Sequence, residues 1–293
     1  MQRVQSPGWY RMMVGNIEVT ALSDGTVELP MEKLLSGVKV EQIRALLARS
    51  YRRPPVETSV NAYLVNTGSR LILIDAGAAG LFGPTLGNLV TNLKLSGYTP
   101  EQVDEVWVTH MHPDHVGGLV IGGKRAYPNA VVRADANEAS YWLSAERMGN
   151  AKAEDKAFFE GALASIKPYI EAGKFVPFEG EKELVPGIKA MAAPGHTTGH
   201  TLYSIESDGH KLVVWGDIVH AAAVQFAVPA VTIAFDSDPR RAASERQTLF
   251  TDAANRGYFV ALTHVQFPGL GQIKPGKDGQ GFEWVPANYY AVP

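Results

Sequence analysis

The stretch THMHPDHVGGL, residues 109–119, places four candidate metal ligands within six positions of the chain. These ligands are His110, His112, Asp114 and His115. On a regular strand the first three would share one face and the fourth would point away, whereas at a strand end that leads into a turn they can diverge toward two adjacent ions. Pro113 and the glycine pair that follows predict a tight, non-helical path. Imidazole and carboxylate ligands suit zinc and neighbouring divalent transition metals.

Five apolar runs of the chain, one of which leads into this stretch, end in or near a histidine or an aspartate. Each run has the length of a strand and is rich in Val, Ile, Leu or aromatic residues. The runs are 70–77 with Asp75, 104–110 with His110, 187–196 with His196, 211–217 with Asp217, and 258–264 with His264. An ordinary core does not need this pattern. The sequence therefore predicts that at least five strands deliver His or Asp side chains at their carboxyl ends.

Helical patterns alternate with these runs. The predicted helices cover 40–52, 81–98, 134–148, 156–174 with an interruption at Pro168, and 238–257. Residues 201–217 read as a hairpin that turns at 207–209. No linker or break in composition separates the elements, so we expect one α/β domain over residues 1–293.

Composition excludes several classes of protein. The chain has 293 residues, 45% of them hydrophobic and 19% charged, which predicts a sizeable core and rules out global disorder. The absence of cysteine excludes disulfides, thiolate zinc sites and thiol catalysis. A net charge of −3 does not indicate a broad positively charged surface for binding nucleic acid or an anionic membrane. No apolar run approaches the roughly 20 residues of a membrane span.

The amino terminus, MQRVQSPGWYRMMV, lacks the apolar core of a signal peptide. The chain is therefore expected to be cytoplasmic if it is complete, and periplasmic if a leader was removed. The expected partner is a small-molecule ester or lactone, with no nucleic acid and no membrane.

The order of these motifs resembles the metallo-β-lactamase superfamily. The matching elements are Asp75 in LIDAG, the cluster 110–115, His196 in PGHTTGH, Asp217 in WGD, and His264 in LTH. This resemblance implies an αββα sandwich that carries two metal ions at one edge. It also implies two divalent ions as cofactors, with zinc foremost and Mn, Co or Fe as alternatives.

Residue by residue, the resemblance implies a role for each member of the motif. The first metal takes His110, His112 and His196, and the second takes Asp114, His115 and His264. Asp217 bridges both ions, and Asp75 orients the ligand side chains by hydrogen bonding without binding a metal itself. Asp114 and Asp217 are the expected catalytic carboxylates, and a hydroxide shared by the two metals is the expected nucleophile.

Further runs are similar to a narrower branch, which holds methyl parathion hydrolase and related lactonases and arylesterases. The runs include 58–87, PNAVVRAD at 128–135, FPGLGQI at 267–273 and WVPANY at 284–289. This branch implies a homodimer and the hydrolysis of lactones and aryl esters.

Four residues depart from what the resemblance implies for organophosphate-degrading members. His220 stands three positions after Asp217, where an apolar residue is expected, and Leu34 replaces a basic residue. Ile233 and Phe235 add bulk near the same wall. These differences resemble lactone-hydrolysing relatives such as dihydrocoumarin hydrolase, so only weak phosphotriesterase activity is expected. For His220 itself, a structural role, a substrate contact and a metal contact all remain open.

The substrate pocket is expected to be apolar and aromatic. Its candidate residues are Leu29, Leu34, Phe82, Trp142, Phe158, His220 and Phe235. Ordinary core packing competes with this interpretation, above all for Trp142 and Phe158, which sit on amphipathic helices.

The function predicted from sequence is therefore a dinuclear metal-dependent hydrolase of lactones and aryl esters. An organophosphate hydrolase of the methyl parathion type and an acyl-homoserine lactonase are the enzymatic alternatives. A nucleic-acid-processing member or a non-hydrolytic di-iron member is the alternative from another class. The slightly negative charge counts against the first of these, and the retained His112 and His115 count against the second.

Overall fold

The computed structural model of the chain describes residues 1–2, 5–289 and 292. Its strands in that part of the chain are β1 Trp9–Val14, β2 Ile17–Leu29, β3 Leu35–Ser36, β4 Val56–Asn66, β5 Leu71–Ile74, β6 Glu105–Trp107, β7 Val120–Ile121, β8 Lys124–Arg125, β9 Val131–Arg133, β10 Lys182–Val185, β11 Ile188–Ala192, β12 Thr201–Ser207, β13 His210–Val214, β14 Thr232–Ile233, β15 Phe259–Ala261, β16 Leu270–Pro275 and β17 Phe282–Pro286. All five predicted strands are present, and β12 and β13 form the predicted hairpin.

The helices lie between the strands. They are α1 Met31–Leu34, α2 Val40–Arg49, α3 Leu89–Leu95, α4 Pro113–Val116, α5 Ala136–Trp142, α6 Ala145–Asn150, α7 Ala153–Glu171, α8 Ala222–Gln225 and α9 Pro239–Arg256. Among the described residues, none of these helices is both long and apolar enough to cross a membrane.

The strands form two large sheets that pack face to face. One has the order β1-β2-β4-β5-β6-β9, and the other has the order β10-β11-β12-β13-β15-β16-β17. Helices α3, α5 and α7 cover the outer face of the first sheet, and α9 covers the outer face of the second. The layers therefore form the expected αββα sandwich.

Strand β5 shows how the alternation of side chains builds these layers. Ile72 and Ile74 point into the core between the sheets, whereas Leu71 and Leu73 point toward the helices of the outer layer. Successive side chains of a strand face opposite sides, so a strand that is apolar throughout can bury both faces. All four residues of β5 are buried.

Three helical predictions need correction. Helix formation over 81–98 is restricted to Leu89–Leu95, because Gly83 and Gly87 adopt positive φ angles of 105° and 96°. Helix α7 runs through Pro168 without interruption, since the buried Ile166 and Tyr169 on either side hold it against the sheet. The predicted helix over 134–148 is two helices, α5 and α6.

The turn that follows His112 is also different from the prediction. Residues Pro113–Val116 form a single helical turn, and proline is well suited to the first position of a helix. Gly118 comes so close to the carbonyl oxygen of Ala76 that any side chain would collide with it. The glycine therefore lets the turn that carries Asp114 and His115 lie directly on the loop that follows β5.

Parallel pairing brings the predicted ligands to one edge. Strands β5, β6 and β9 run parallel in the first sheet, and β13 and β15 run parallel in the second. The carboxyl ends of parallel strands meet at the same edge. Asp75 and His110 follow β5 and β6, while Asp217 and His264 follow β13 and β15.

Arg246 of α9 secures the segment that follows Asp217. Its side chain is only 1% exposed and donates hydrogen bonds to the carbonyl oxygens of Ile218, Pro229 and Val231 at 2.6, 2.9 and 2.7 Å. Burial lowers the pKa of Arg246 to about 10. The residue therefore stays charged at neutral pH and satisfies three backbone carbonyls.

Replacing Arg246 with Met should lower the free energy of unfolding by about 2–4 kcal/mol, because the buried carbonyls of Ile218 and Pro229 lose their donor and that of Val231 keeps only the Gln225 amide. Chemical denaturation at equal metal content measures this loss. Arg240→Met, at an exposed position of the same helix, is the control and should change the free energy by about 0.5 kcal/mol or less. A loss below about 1 kcal/mol in Arg246→Met would contradict this role.

Candidate metal centre

Asp217 lies at the middle of the predicted ligands. Its Oδ2 atom is 3.6 Å from His110 Nε2 and 3.3 Å from His196 Nε2. Its Oδ1 atom is 3.1 Å from His115 Nε2 and 3.2 Å from His264 Nε2. His264 Nε2 is also 3.2 Å from Oδ2, so this imidazole lies against both oxygens of the carboxylate.

The donor atoms fall into two main groups. His110, His112, His196 and Asp217 form one group, and Asp114, His115 and His264 form another, with the donor atoms of each group within 4.8 Å of one another. Every member is buried. The structure thus brings together all seven residues that the sequence suggested as ligands.

The hydrogen-bonding state of the cluster fits a metal centre. His110 Nε2, His115 Nε2 and Asp217 Oδ1 are buried and make no well-directed hydrogen bond within the described structure, although His115 Nε2 and Asp217 Oδ1 are only 3.1 Å apart. Buried polar atoms are rarely left in this state without a reason. Unprotonated imidazole nitrogens and carboxylate oxygens are the donors that zinc and similar divalent ions take, so the donor set fits such ions.

The charges of the cluster also favour a bound cation. Burial, with the neighbouring His115, lowers the pKa of His110 well below its usual value, which leaves that ring neutral. Burial would also lower the pKa of His115, but the carboxylates of Asp217, Asp114 and Asp75 raise it well above the usual value. The carboxylates therefore attract positive charge into the centre, and a divalent cation can supply it while the rings stay neutral ligands.

A second row of acceptors orients the rings. His115 Nδ1 lies 2.8 Å from Asp75 Oδ2, and His196 Nδ1 lies 2.9 Å from Asp236 Oδ1. His264 Nδ1 lies 2.9 Å from the carbonyl oxygen of Ser59. When these nitrogens donate, each ring presents an unprotonated Nε2 to the centre.

Sequence reasoning missed two of the buried carboxylates around the centre. Asp236 lies 40 positions from His196, the ring that it orients, so no local spacing reveals it. Glu138 contacts the loops of two ligand segments from inside α5, where it resembles any helical glutamate in sequence.

His220 contacts the central carboxylate directly. Its Nε2 atom is 3.0 Å from Asp217 Oδ2, and its backbone N–H donates to Gln225 Oε1 at 2.7 Å. Burial lowers the pKa of His220 to about 4, so the ring is neutral. It also forms a third group of donor atoms with Asp217 and His264.

A narrow pocket opens over the cluster. Its lining residues are Val27, Leu29, Phe82, His112, Asp114, Phe158, Asp217, His220, Phe235 and His264. Five of the seven residues suggested for the pocket are among them. Leu34 and Trp142 are not: Leu34 packs in the apolar cluster around α1 and α2, and Trp142 is buried with its ring edge-to-face against His112 at 5.2 Å.

Comparison with known proteins places this geometry in a family. The profile of the metallo-beta-lactamase superfamily matches residues 55–264. The solved structure of the hydrolase AbOPH, of the beta lactamase superfamily, is similar with a TM-score of 0.93 and 37% sequence identity, over 98% of this chain and 100% of that chain.

Two lactonases are also similar. AidC, a dizinc quorum-quenching lactonase solved with a product, N-hexnoyl-L-homoserine, has a TM-score of 0.87 and 25% identity over 97% of this chain and 99% of that chain. An N-acyl homoserine lactonase of Bacillus cereus is 28% identical over 171 residues, which are 52% of this chain and 60% of that protein. The match thus spans less than two thirds of this curated relative. From the profile and the AbOPH likeness together, the chain belongs to the metallo-beta-lactamase superfamily.

Proposed function

We propose that the chain is a metal-dependent hydrolase of lactones and aryl esters. The observation that carries the proposal is the position of the Asp217 carboxylate, which faces two groups of buried imidazoles at the base of an apolar pocket. His110, His112 and His196 would hold one divalent cation, Asp114, His115 and His264 would hold the second, and Asp217 would bridge them. Zinc is the first candidate, and Mn, Co and Fe are the alternatives.

The chemistry that this centre supplies is hydrolytic. Two divalent cations held about 3.5–4 Å apart lower the pKa of a shared water, so that hydroxide is available near neutral pH. Asp217 would face both cations through its carboxylate, and Asp114 would add a second carboxylate that offsets part of the cationic charge. His220 restrains Asp217 Oδ2 from the pocket side.

The pocket favours a neutral, flat substrate. Phe82, Phe158 and Phe235 provide aromatic walls, and no Lys or Arg stands among the described lining residues. Apolar walls exclude bulk water and strengthen electrostatic interactions at the reacting carbonyl. The phosphate groups of a nucleic acid would contact no cationic side chain among the described lining residues of this pocket, which argues against a nucleic-acid substrate.

Hydrolysis of N-acyl homoserine lactones is a second candidate. The likeness to AidC, which was solved with a homoserine product, favours it. A panel of aromatic lactones, aryl esters and acyl-homoserine lactones of increasing chain length separates the two candidates. Loss of activity as the acyl chain lengthens would favour the compact aromatic substrates.

Metal analysis should find close to two divalent ions per chain, because the cluster offers two sets of donors. Removing the ions with a chelator should abolish ester and lactone hydrolysis, and adding zinc back should restore it. Fully active enzyme with one ion or none would contradict the dinuclear proposal.

Replacing Asp217 with Ala should lower kcat at least ~10²-fold, on the scale of removing one preorganised electrostatic group. The exposed Asp155 of α7 supplies the control, since Asp155→Ala should keep kcat near the wild-type value. Near-wild-type turnover in metal-loaded Asp217→Ala would show that the bridge has been assigned to the wrong residue.

Replacing His220 with Leu should shift specificity from an aromatic lactone toward an aryl phosphotriester. A phosphotriester is tetrahedral and bulky before attack, whereas a lactone carbonyl is flat and can accept a hydrogen bond from the imidazole. Leucine removes that hydrogen bond and replaces the rigid ring with a flexible apolar side chain, which should favour the phosphotriester over the lactone. The lost contact with Asp217 affects both reactions, and the ratio of the two kcat/KM values removes that shared effect.

The ratio should be measured at equal metal loading, with His210→Leu at the exposed hairpin turn as the control. An unchanged ratio in His220→Leu, or a shift toward the lactone, would assign His220 a purely structural role.

A further inference from the structure

Glu138 is a fully buried carboxylate that none of the assignments above uses. It lies in the first turn of α5 and has 0% exposure. Its Oε1 atom accepts a hydrogen bond from the backbone N–H of Met111 at 2.9 Å. Its Oε2 atom accepts from the backbone N–H of Gly199 at 2.9 Å and from the hydroxyl of Thr197 at 2.7 Å.

These three donors belong to the two loops that carry one group of imidazoles. Met111 stands between His110 and His112, and Thr197 directly follows His196. The two loops come from different sheets of the sandwich. One carboxylate therefore joins two loops of different sheets at the positions where they present their rings.

Close packing supports the same contact. The backbone of Gly199 lies against α5, so that a Cβ atom at this position would come 2.7 Å from the Cβ atom of Glu138 and 2.9 Å from Asp135 Oδ1. Only a glycine lets the loop approach the helix this closely. The hydrogen bonds of Glu138 thus depend on a second residue, which can be changed without altering the carboxylate.

We propose that Glu138 is a positioning residue that sets the spacing between His110, His112 and His196. Its loss should weaken the metal site of these three imidazoles more than the site of Asp114, His115 and His264. The inference rests on the proposed metal centre.

The selectivity follows from how the two groups are held. His115 and His264 have their own acceptors, Asp75 and the carbonyl of Ser59, and His196 has Asp236. None of these three ring contacts involves Glu138. What Glu138 adds is therefore the contact between the two loops of the three-imidazole group.

Burial raises the pKa of Glu138, while the N–H of Met111, the Thr197 hydroxyl and the N–H of Gly199 oppose that rise. An ionised Glu138 accepts all three hydrogen bonds at once.

The test measures zinc affinity at each site separately, by competition with a chromophoric chelator. In a His264→Ala background the three-imidazole site remains, and in a His196→Ala background the other site remains. Glu138→Gln puts an amide NH₂ against one of the two peptide donors. It should weaken zinc binding about 10- to 100-fold in the first background, the usual range for residues that support metal ligands. In the second background the change should stay below about 3-fold.

Two further variants make the result decisive. Gly199→Ala should cause the same asymmetric loss with the carboxylate intact. Glu105→Gln is the matched control, because Glu105 is also a buried acceptor, from Trp107 Nε1 and Arg133 Nε, and contacts neither loop. It should leave zinc affinity unchanged in both backgrounds. The spectrum of the cobalt-substituted three-imidazole site should change in Glu138→Gln and not in Glu105→Gln.

Unchanged affinity in Glu138→Gln, or equal losses in the two backgrounds, would overturn the positioning role while leaving the metal centre intact. If the wild-type chain binds no zinc at all, the proposed function and this inference both fail. Should Glu138→Gln not fold, Glu138→Asp and Gly199→Ala give the same comparison, and a symmetric loss in both of them overturns the proposal.

Discussion

The structure depends on the burial of the Asp217 carboxylate among imidazoles. A carboxylate taken out of water is unstable unless positive charge or hydrogen bonds compensate for it. Here the neighbours of Asp217 are His110, His115, His196, His220 and His264. Part of this compensation is positive charge on the rings, since the carboxylates raise the pKa of His115, and unpartnered atoms still remain at the centre. The folded chain is therefore complementary to added cations, and under the proposed function a bound metal would also stabilise the fold.

Residues from both sheets and from the covering helices position the buried polar groups of this centre. Parallel strands in both sheets deliver side chains to one edge, and the loops beyond them interlock. Asp75 and Asp236 orient rings, Glu138 joins two loops, and Arg246 anchors the segment after Asp217. None of these four residues is among the seven predicted ligands. The geometry of the centre is therefore a property of buried polar contacts as much as of the ligands themselves.

Most of what the sequence could predict came from patterns among residues that are close together in the chain. The spacing of His110 to His115 and the apolar runs before Asp217 and His264 identify strand ends and ligand chemistry, because both signals lie within ten residues. Asp236 and Glu138 were missed because their partners are brought near only by the tertiary fold. The predicted helix over 81–98 is shorter than expected because glycines in its first half adopt positive φ angles. The predicted interruption at Pro168 is absent because α7 packs on its sheet on both sides of this residue.

The pocket walls come from different segments than the metal ligands. Leu29 ends β2, Phe82 lies in the loop before α3, Phe158 is on α7, and Phe235 follows β14. Substitutions at these positions can reshape the entrance while the ligand loops keep their hydrogen bonds. In the proposed hydrolase, substrate range and metal affinity would therefore respond to different substitutions, and a lineage with this architecture could acquire new substrates in small steps. His220 differs from these residues, because it lines the pocket and also lies 3.0 Å from Asp217 Oδ2, so a change there would alter selectivity and metal geometry together.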